Sequence, residues 1–114
     1  MSGSDVLERE RHAVLLVGGL DPSGGASILL DARVVRVRGL HAVTAATAIA
    51  VQNSSRLASR YDLPASVLKA QLTVLAEVFL LGAVKTGMLP TVEIVEALAE
   101  FLAQLGHQRP HVGA

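Results

Sequence analysis

Apolar and polar positions alternate along the chain in blocks that predict strands and helices in turn. The run HAVLLVGG is continuously apolar and is stopped by glycines, which is typical of a strand buried on both faces. From about Ser23 to Arg38 apolar residues recur at helical spacing, and Gly39 follows as a natural helix stop. The segment HAVTAATAIAVQN is rich in Val, Thr and Ile and predicts a second strand that ends at Gln52 and Asn53.

The second half of the chain continues this alternation. Residues 54–62 are polar and predict a connection, and Pro64 suits the first turn of a helix. The apolar stripe of that helix is Leu68, Leu72, Leu75 and Phe79. GAVKTGML predicts a strand from Ala83 into a glycine turn, a further helix starts near Thr91 and closes at Gly106, and RPHVGA begins another segment. This order predicts an α/β fold with a mostly parallel sheet flanked by helices.

Composition excludes several classes of protein. A chain of 114 residues holds one domain at most, and with 51% hydrophobic and 18% charged residues it is too apolar to be disordered. The net charge is zero and the basic residues are dispersed, so the sequence shows no basic patch of the kind that binds nucleic acid. The absence of cysteine excludes disulfides, thiolate metal sites and a cysteine nucleophile within these residues. Residues 1–11 lack the apolar core of a signal peptide, so we expect a flexible tail on a cytoplasmic domain that starts at residue 12.

Three polar or glycine-rich clusters fall at predicted carboxyl ends of strands, where open α/β sheets bind ligands. They are residues 18–25, 52–53 and 86–89. The first has the spacing of half a P-loop, but Gly25 and Ala26 stand where Lys and Ser or Thr would follow, and the dinucleotide fingerprint is also absent. Spacing alone leaves two interpretations equally open, a tight turn between strand and helix and a ligand loop at a helix N-terminus.

Three side chains have both a structural and a functional interpretation, and a fourth, Lys85, has a structural one. Asp31 is either a solvated residue between two apolar stripes or a carboxylate that accepts hydrogen bonds from a ligand hydroxyl or amine. Gln52 is either a polar strand end or a side chain that presents an acceptor and donors to a heterocycle edge, which suits an aminopyrimidine. Met88 either fills the core or packs on a flat ring, and Lys85 is expected to form a salt bridge at the surface. The four histidines are scattered without ligand spacing, so no metal-binding or catalytic histidine is predicted.

The blocks GGLDPSGGASILLDARV, TAIAVQN, LKAQL and VKTGML resemble, in order and spacing, the N-terminal half of one kinase family. This is the hydroxymethylpyrimidine/phosphomethylpyrimidine kinase family of thiamine biosynthesis, and the resemblance runs from about residue 13 to the end of the chain. It implies a ribokinase-like fold, incomplete here. It also implies a phosphotransferase that phosphorylates the hydroxymethyl group of an aminopyrimidine and then the resulting monophosphate. Mg-ATP is the implied cofactor, bound by residues of the family's second half.

The resemblance also implies a substrate pocket and the loop that shapes it. In this chain they consist of Gly19, Asp21, Gly24, Gly25, Asp31, Val51, Gln52 and Met88. Gln52 is implied to hydrogen-bond the ring, Met88 to pack near it and Val51 to add a backbone contact. No catalytic and no metal-binding residue is implied. Family members usually carry glycine where this chain has Ser27.

Because family members are longer, we expect this chain to hold the acceptor side of a phosphoryl-transfer site and not to catalyse transfer alone. The alternatives are a fragment of a pyridoxal-type vitamin kinase, a non-catalytic pyrimidine-binding module and a nonfunctional remnant. The expected partners are a small-molecule aminopyrimidine and further copies of the chain, which would cover an open sheet edge. Nucleic acid and membrane are not expected partners.

Overall fold

The computed structural model describes residues 12–107 and 111–113, which form a five-stranded sheet with helices on both faces. The strands are β1 (His12–Leu20), β2 (Ala42–Gln52), β3 (Leu57–Asp62), β4 (Leu80–Thr86) and β5 (His111–Gly113). The helices are α1 (Ser27–Val37), α2 (Ala65–Val78) and α3 (Val92–Gln104), and a 3₁₀ turn follows at Leu105–His107. The predicted tail, residues 1–11, lies outside the described residues.

The strand order is β3-β2-β1-β4-β5, with β1 at the centre. β1 pairs in parallel with β2 on one side and with β4 on the other, and β5 adds in parallel to β4. The α/β class and the mostly parallel sheet predicted from the sequence are therefore confirmed. Because β1, β2 and β4 run in the same direction, their carboxyl ends lie at one edge of the sheet.

β3 differs from the sequence prediction of a polar connection. It pairs antiparallel with β2, from Ala48 opposite Asp62 to Gln52 opposite Leu57. All six of its residues are exposed, so neither face of the strand is buried. Its sequence therefore lacks the alternation of apolar and polar positions that would predict a strand. Backbone hydrogen bonds to β2 define this edge strand, and the ion pair between Arg60 and Asp62 (Nε–Oδ1, 2.7 Å) lies along it.

The core is divided between the two faces of the sheet. On one face α2 and α3 bury Leu68, Leu72 and Ile94 against Leu15 and Val17. On the other face α1 packs Ile28 against Leu16 and Ala42. Each fully buried Leu or Ile removes enough apolar surface from water to contribute about 1.5–3 kcal/mol. This burial fixes the positions of the helices relative to the strand ends.

The helix boundaries follow from local chemistry. α1 begins at Ser27, later than the predicted Ser23, because Gly24 has φ +77° and donates its N–H to the Asp21 carbonyl at 2.9 Å in a tight turn. Pro64 is the N-cap of α2, one position before the predicted first turn. Thr91 caps α3, where its hydroxyl accepts a hydrogen bond from the Ile94 N–H at 3.2 Å.

Candidate functional site

The sheet register brings two of the three predicted clusters together at the carboxyl edge. Val17 of β1 pairs with Thr86 of β4, and the Gly87 N–H donates to the Val17 carbonyl at 2.7 Å. The glycine-rich end of β1 is therefore directly beside the turn that follows β4. The third cluster, at the end of β2, lies beyond Ile49, the last residue of β2 that pairs with β1.

The glycines at the end of β1 allow this close approach. A β-carbon at Gly18 would lie 3.2 Å from Ile28 Cγ2 and 3.4 Å from Gly87 Cα, tighter than side chains normally pack. A β-carbon at Gly19 would lie 3.5 Å from Met88 Sδ. The Met88 side chain therefore lies over the bare backbone of Gly19 and is 36% exposed. The polarizable thioether of Met88 is therefore partly exposed beside a residue without a side chain, which suits contact with a flat ring.

The loop after β1 is stabilised by the carboxylate of Asp21, which is only 2% exposed. Asp21 Oδ1 accepts hydrogen bonds from the Ser23 hydroxyl at 2.7 Å and from the Ser23 N–H at 2.9 Å. The Ser23 hydroxyl is the main cause of a lowered Asp21 pKa; the N–H groups of Ser23, Gly25 and Ala26 add to it, and desolvation opposes it. The N–H groups that would cradle a phosphate in a P-loop are thus directed at a carboxylate of the same loop. Gly24 and Gly25 supply the sharp turn around it.

Asp31 is paired with Lys85. Its Oδ1 accepts a hydrogen bond from Lys85 Nζ at 2.7 Å, so the salt bridge predicted for Lys85 is present. The Asp31 side chain is 23% exposed and that of Lys85 47%. A carboxylate accepts through two oxygens, so Asp31 can hold Lys85 through Oδ1 and a ligand hydroxyl or amine through Oδ2.

Val51 and Gln52 lie on the part of β2 that extends past the end of β1. The last residue of β2 paired with β1 is Ile49, opposite Leu20. Gln52 therefore lies about 13 Å along β2 from Ala48, the partner of Gly19, at the usual rise per residue. The structure does not bring Gln52 into contact with Gly19 and Met88. Gln52 instead lines a cleft of about 160 Å³ at the turn between β2 and β3, together with Val51, Asn53, Arg56 and Ala58.

Thr47 and Gln71 were missed by the sequence analysis, whereas Ser27 was noted there only as a departure from the family. Ser27 has φ +57°, a left-handed conformation that favours glycine. Thr47 is fully buried, and its hydroxyl donates to the Met88 carbonyl at 2.7 Å. Gln71 bonds both backbone groups of Ala46. One sequence signal for Gln71 existed, because it is a polar residue at the i+3 position of the apolar stripe that starts at Leu68.

Comparison with known proteins assigns the chain to a family. The sequence profile described as phosphomethylpyrimidine kinase matches residues 21–112. The chain belongs to this family. The hydroxymethylpyrimidine/phosphomethylpyrimidine kinase of Streptomyces coelicolor is 39% identical over 90 residues, which are 79% of this chain and 34% of the relative. The chain spans about a third of the length of the curated kinases that it matches.

Solved structures extend the similarity to the fold. The phosphomethylpyrimidine kinase of Clostridium difficile 630 superposes with a TM-score of 0.79 at 30% identity, over 84% of this chain and 42% of that one. An ADP complex of Bacillus subtilis pyridoxal kinase gives a TM-score of 0.74 at 32% identity, over 83% of this chain and 36% of that one. The ribokinase-like fold expected from the resemblance is confirmed for the part of the fold that the chain spans.

Two kinds of feature are not found in the part of the chain that the structure describes. None of its helices is both long and apolar enough to cross a membrane. Within residues 12–107 and 111–113 no three His, Asp or Glu side chains cluster as metal ligands would.

Proposed function

We propose that this chain forms the acceptor-binding side of an ATP-dependent kinase for hydroxymethylpyrimidine and its monophosphate, in thiamine biosynthesis. Membership of the phosphomethylpyrimidine kinase family supports the reaction class. The observation that carries the site is the contact of Met88 with the bare backbone of Gly19, at the edge where parallel sheets bind ligands.

In this proposal the pyrimidine ring lies between Gly19 and Met88 on one side and the extended end of β2 on the other. Gln52 then meets the ring edge as donor and acceptor, and Val51 contributes a backbone group. The Asp31 carboxylate, held by Lys85, accepts a hydrogen bond from the substrate. Asp21, Gly24 and Gly25 act indirectly, by holding the loop in one conformation.

The described residues do not fit Mg-ATP. The N–H groups of the glycine loop are directed at the Asp21 carboxylate, and no cluster of acidic ligands lies within the described ranges. We propose that Mg-ATP is bound by the part of the fold that the relatives have beyond the matched third of their length. No step of the reaction is therefore assigned to residues of this chain.

Pyridoxal is a second candidate substrate. It is favoured by the similarity to a pyridoxal kinase at a TM-score of 0.74 and 32% identity. Hydroxymethylpyrimidine and pyridoxal are both flat heteroaromatic alcohols. The surface around Gly19 and Met88 therefore does not by itself favour one substrate over the other.

The test is a calorimetric titration of the 114-residue chain with hydroxymethylpyrimidine, and separately with pyridoxal. We expect saturable binding of hydroxymethylpyrimidine that weakens by about tenfold in Gln52→Ala, since a ring hydrogen bond is lost. Gln104→Ala is the matched control, because Gln104 is an exposed glutamine at the end of α3. Failure of both ligands to bind would contradict the proposed site, and tighter binding of pyridoxal would select the second substrate.

We further propose a cytoplasmic homo-oligomer that covers the free edge of β3. Leu57 and Tyr61 on this edge strand are 59% and 64% exposed. Light scattering on the wild-type chain and on Arg60→Pro tests this, because the Arg60 N–H faces the free edge of β3 and proline removes it. A monomeric wild-type chain would contradict the proposal.

A further inference from the structure

A β-bulge lies beside the candidate site. Gly18 of β1 pairs with Ala46 of β2, whereas Gly19 pairs with Ala48, so Thr47 is opposite no residue of β1. A bulge redirects a side chain that regular alternation would point elsewhere. Here the redirected residue is a threonine with no measurable exposure, 0%.

The Thr47 hydroxyl reaches across the end of β1. It donates to the Met88 carbonyl at 2.7 Å, although β2 and β4 lie on opposite sides of β1. Residues 18 and 19 are both glycine, so β1 places no side chain between them. A buried hydroxyl needs such a partner, because an unpaired one costs about 1–3 kcal/mol.

Gln71 of α2 holds the outer edge of the bulge. Its Oε1 accepts from the Ala46 N–H at 2.9 Å, and its Nε2 donates to the Ala46 carbonyl at 2.9 Å. The next carbonyl, that of Thr47, accepts from the Leu63 N–H at 2.9 Å, and β3 begins its pairing at Ala48. The Gln71 side chain therefore makes the two hydrogen bonds to the Ala46 backbone that a further residue of β3 would otherwise make.

We propose that Gln71 and Thr47 are positioning residues, which set the place of Met88 against Gly19 and thereby the affinity for the flat acceptor ring. Gln71 fixes the bulge, the bulge turns Thr47 inward, and Thr47 fixes the backbone of Met88. This inference rests on the proposed function, because it assumes that Met88 contacts the substrate. Neither residue touches the ring.

The chain contains only two methionines, Met1 and Met88, so a ¹³C-methyl label on methionine reports directly on Met88. The first variant is Thr47→Val, which keeps the shape and removes the hydroxyl, and Thr47→Ser restores the hydroxyl. Thr73→Val is the matched control, because Thr73 is exposed on α2. Gln71→Leu and Gln104→Leu form a second pair, in which the half-buried Gln71 makes the hydrogen bonds to Ala46 and the exposed Gln104 is the control.

In the ligand-free chain we expect Thr47→Val and Gln71→Leu to move or broaden the Met88 methyl resonance, while Thr47→Ser and both controls leave it in place. Titrated with hydroxymethylpyrimidine, Thr47→Val should bind about three- to tenfold more weakly, and Thr47→Ser should recover most of the affinity. A residue that only stabilises the fold would lower the unfolding midpoint without changing the methyl resonance of the folded chain.

The two possible failures are distinguishable. If hydroxymethylpyrimidine neither binds the wild-type chain nor shifts its Met88 methyl, the proposed function is wrong, and the ligand-free spectra still test the positioning. If Thr47→Val and Gln71→Leu leave the Met88 resonance and the affinity as in the controls, the positioning inference is overturned.

Discussion

Lys85 Nζ lies 2.7 Å from Asp31 Oδ1, and this ion pair joins β4 to α1 across 54 positions of sequence. Lys85 is beside Leu16 in the sheet, on the face that α1 covers. The pair therefore links α1 to β4 on this face of the sheet. It also orients the carboxylate that the proposed function assigns to the substrate.

The ion pair can be measured by a double-mutant cycle with Asp31→Asn and Lys85→Gln. We expect a coupling of about 0.5 kcal/mol in unfolding free energy at low salt, because both side chains are partly exposed. Added NaCl should reduce it. The pair Lys69–Glu100 is the control: its atoms are 3.9 Å apart and its side chains 58% and 65% exposed, so its coupling should be close to zero. Equal coupling in both pairs would mean that the 2.7 Å contact does not persist in solution.

Replacing Ser27 by glycine should stabilise the protein. Ser27 has φ +57°, and the left-handed conformation costs a residue with a β-carbon about 1–2 kcal/mol. Part of this gain is lost to the greater freedom of glycine in the unfolded chain, so we expect a net increase of about 1 kcal/mol in urea unfolding. Ser27→Ala keeps the β-carbon and serves as control. A gain of the same size in Ser27→Ala would attribute the effect to the hydroxyl instead of the backbone.

Gly18→Ala should destabilise the protein. The added methyl would lie 3.2 Å from both Ile28 Cγ2 and Ser27 Oγ, and such overpacking costs about 1–3 kcal/mol. Gly106→Ala is the matched control, because a β-carbon there meets nothing within 4 Å. Denaturant midpoints of the two variants give the comparison. A Gly18→Ala protein as stable as the control would show that the contact between β1 and α1 is looser than in the structure.

The Asp21 carboxylate should make loop stability depend on acid pH. Its pKa is lowered chiefly by the Ser23 hydroxyl, so its stabilising effect is present above the unfolded pKa of about 3.9 and is lost as pH falls through the folded value. Ser23→Ala should raise the Asp21 pKa, measured by carboxyl NMR titration. The stability difference between wild type and Ser23→Ala should shrink at pH 3 relative to pH 7. Ser54→Ala, at an exposed turn, should show no such change.

Much of the candidate site could be anticipated from local patterns. The apolar runs and glycines located β1 and its loop, and the order of elements placed residues 18–25 and 86–89 at the same edge of a sheet. The two interpretations of Asp31 could not be separated from the sequence. That choice depends on the ion pair with Lys85. Lys85 is 54 positions away in sequence, so no pattern of residues near Asp31 indicates the contact.

The sequence by itself determined the alternation of strands and helices, the glycine turns and the set of motifs that indicates the kinase family, because hydrophobic periodicity and turn chemistry are properties of neighbouring residues. Only the tertiary structure decided the strand order, the exposed edge strand β3 and the bulge at Thr47. It also decided the links from Gln71 to Ala46, from Thr47 to Met88 and from Lys85 to Asp31, which span 25, 41 and 54 positions. Such contacts depend on sheet register and helix packing, which are set jointly by the whole core.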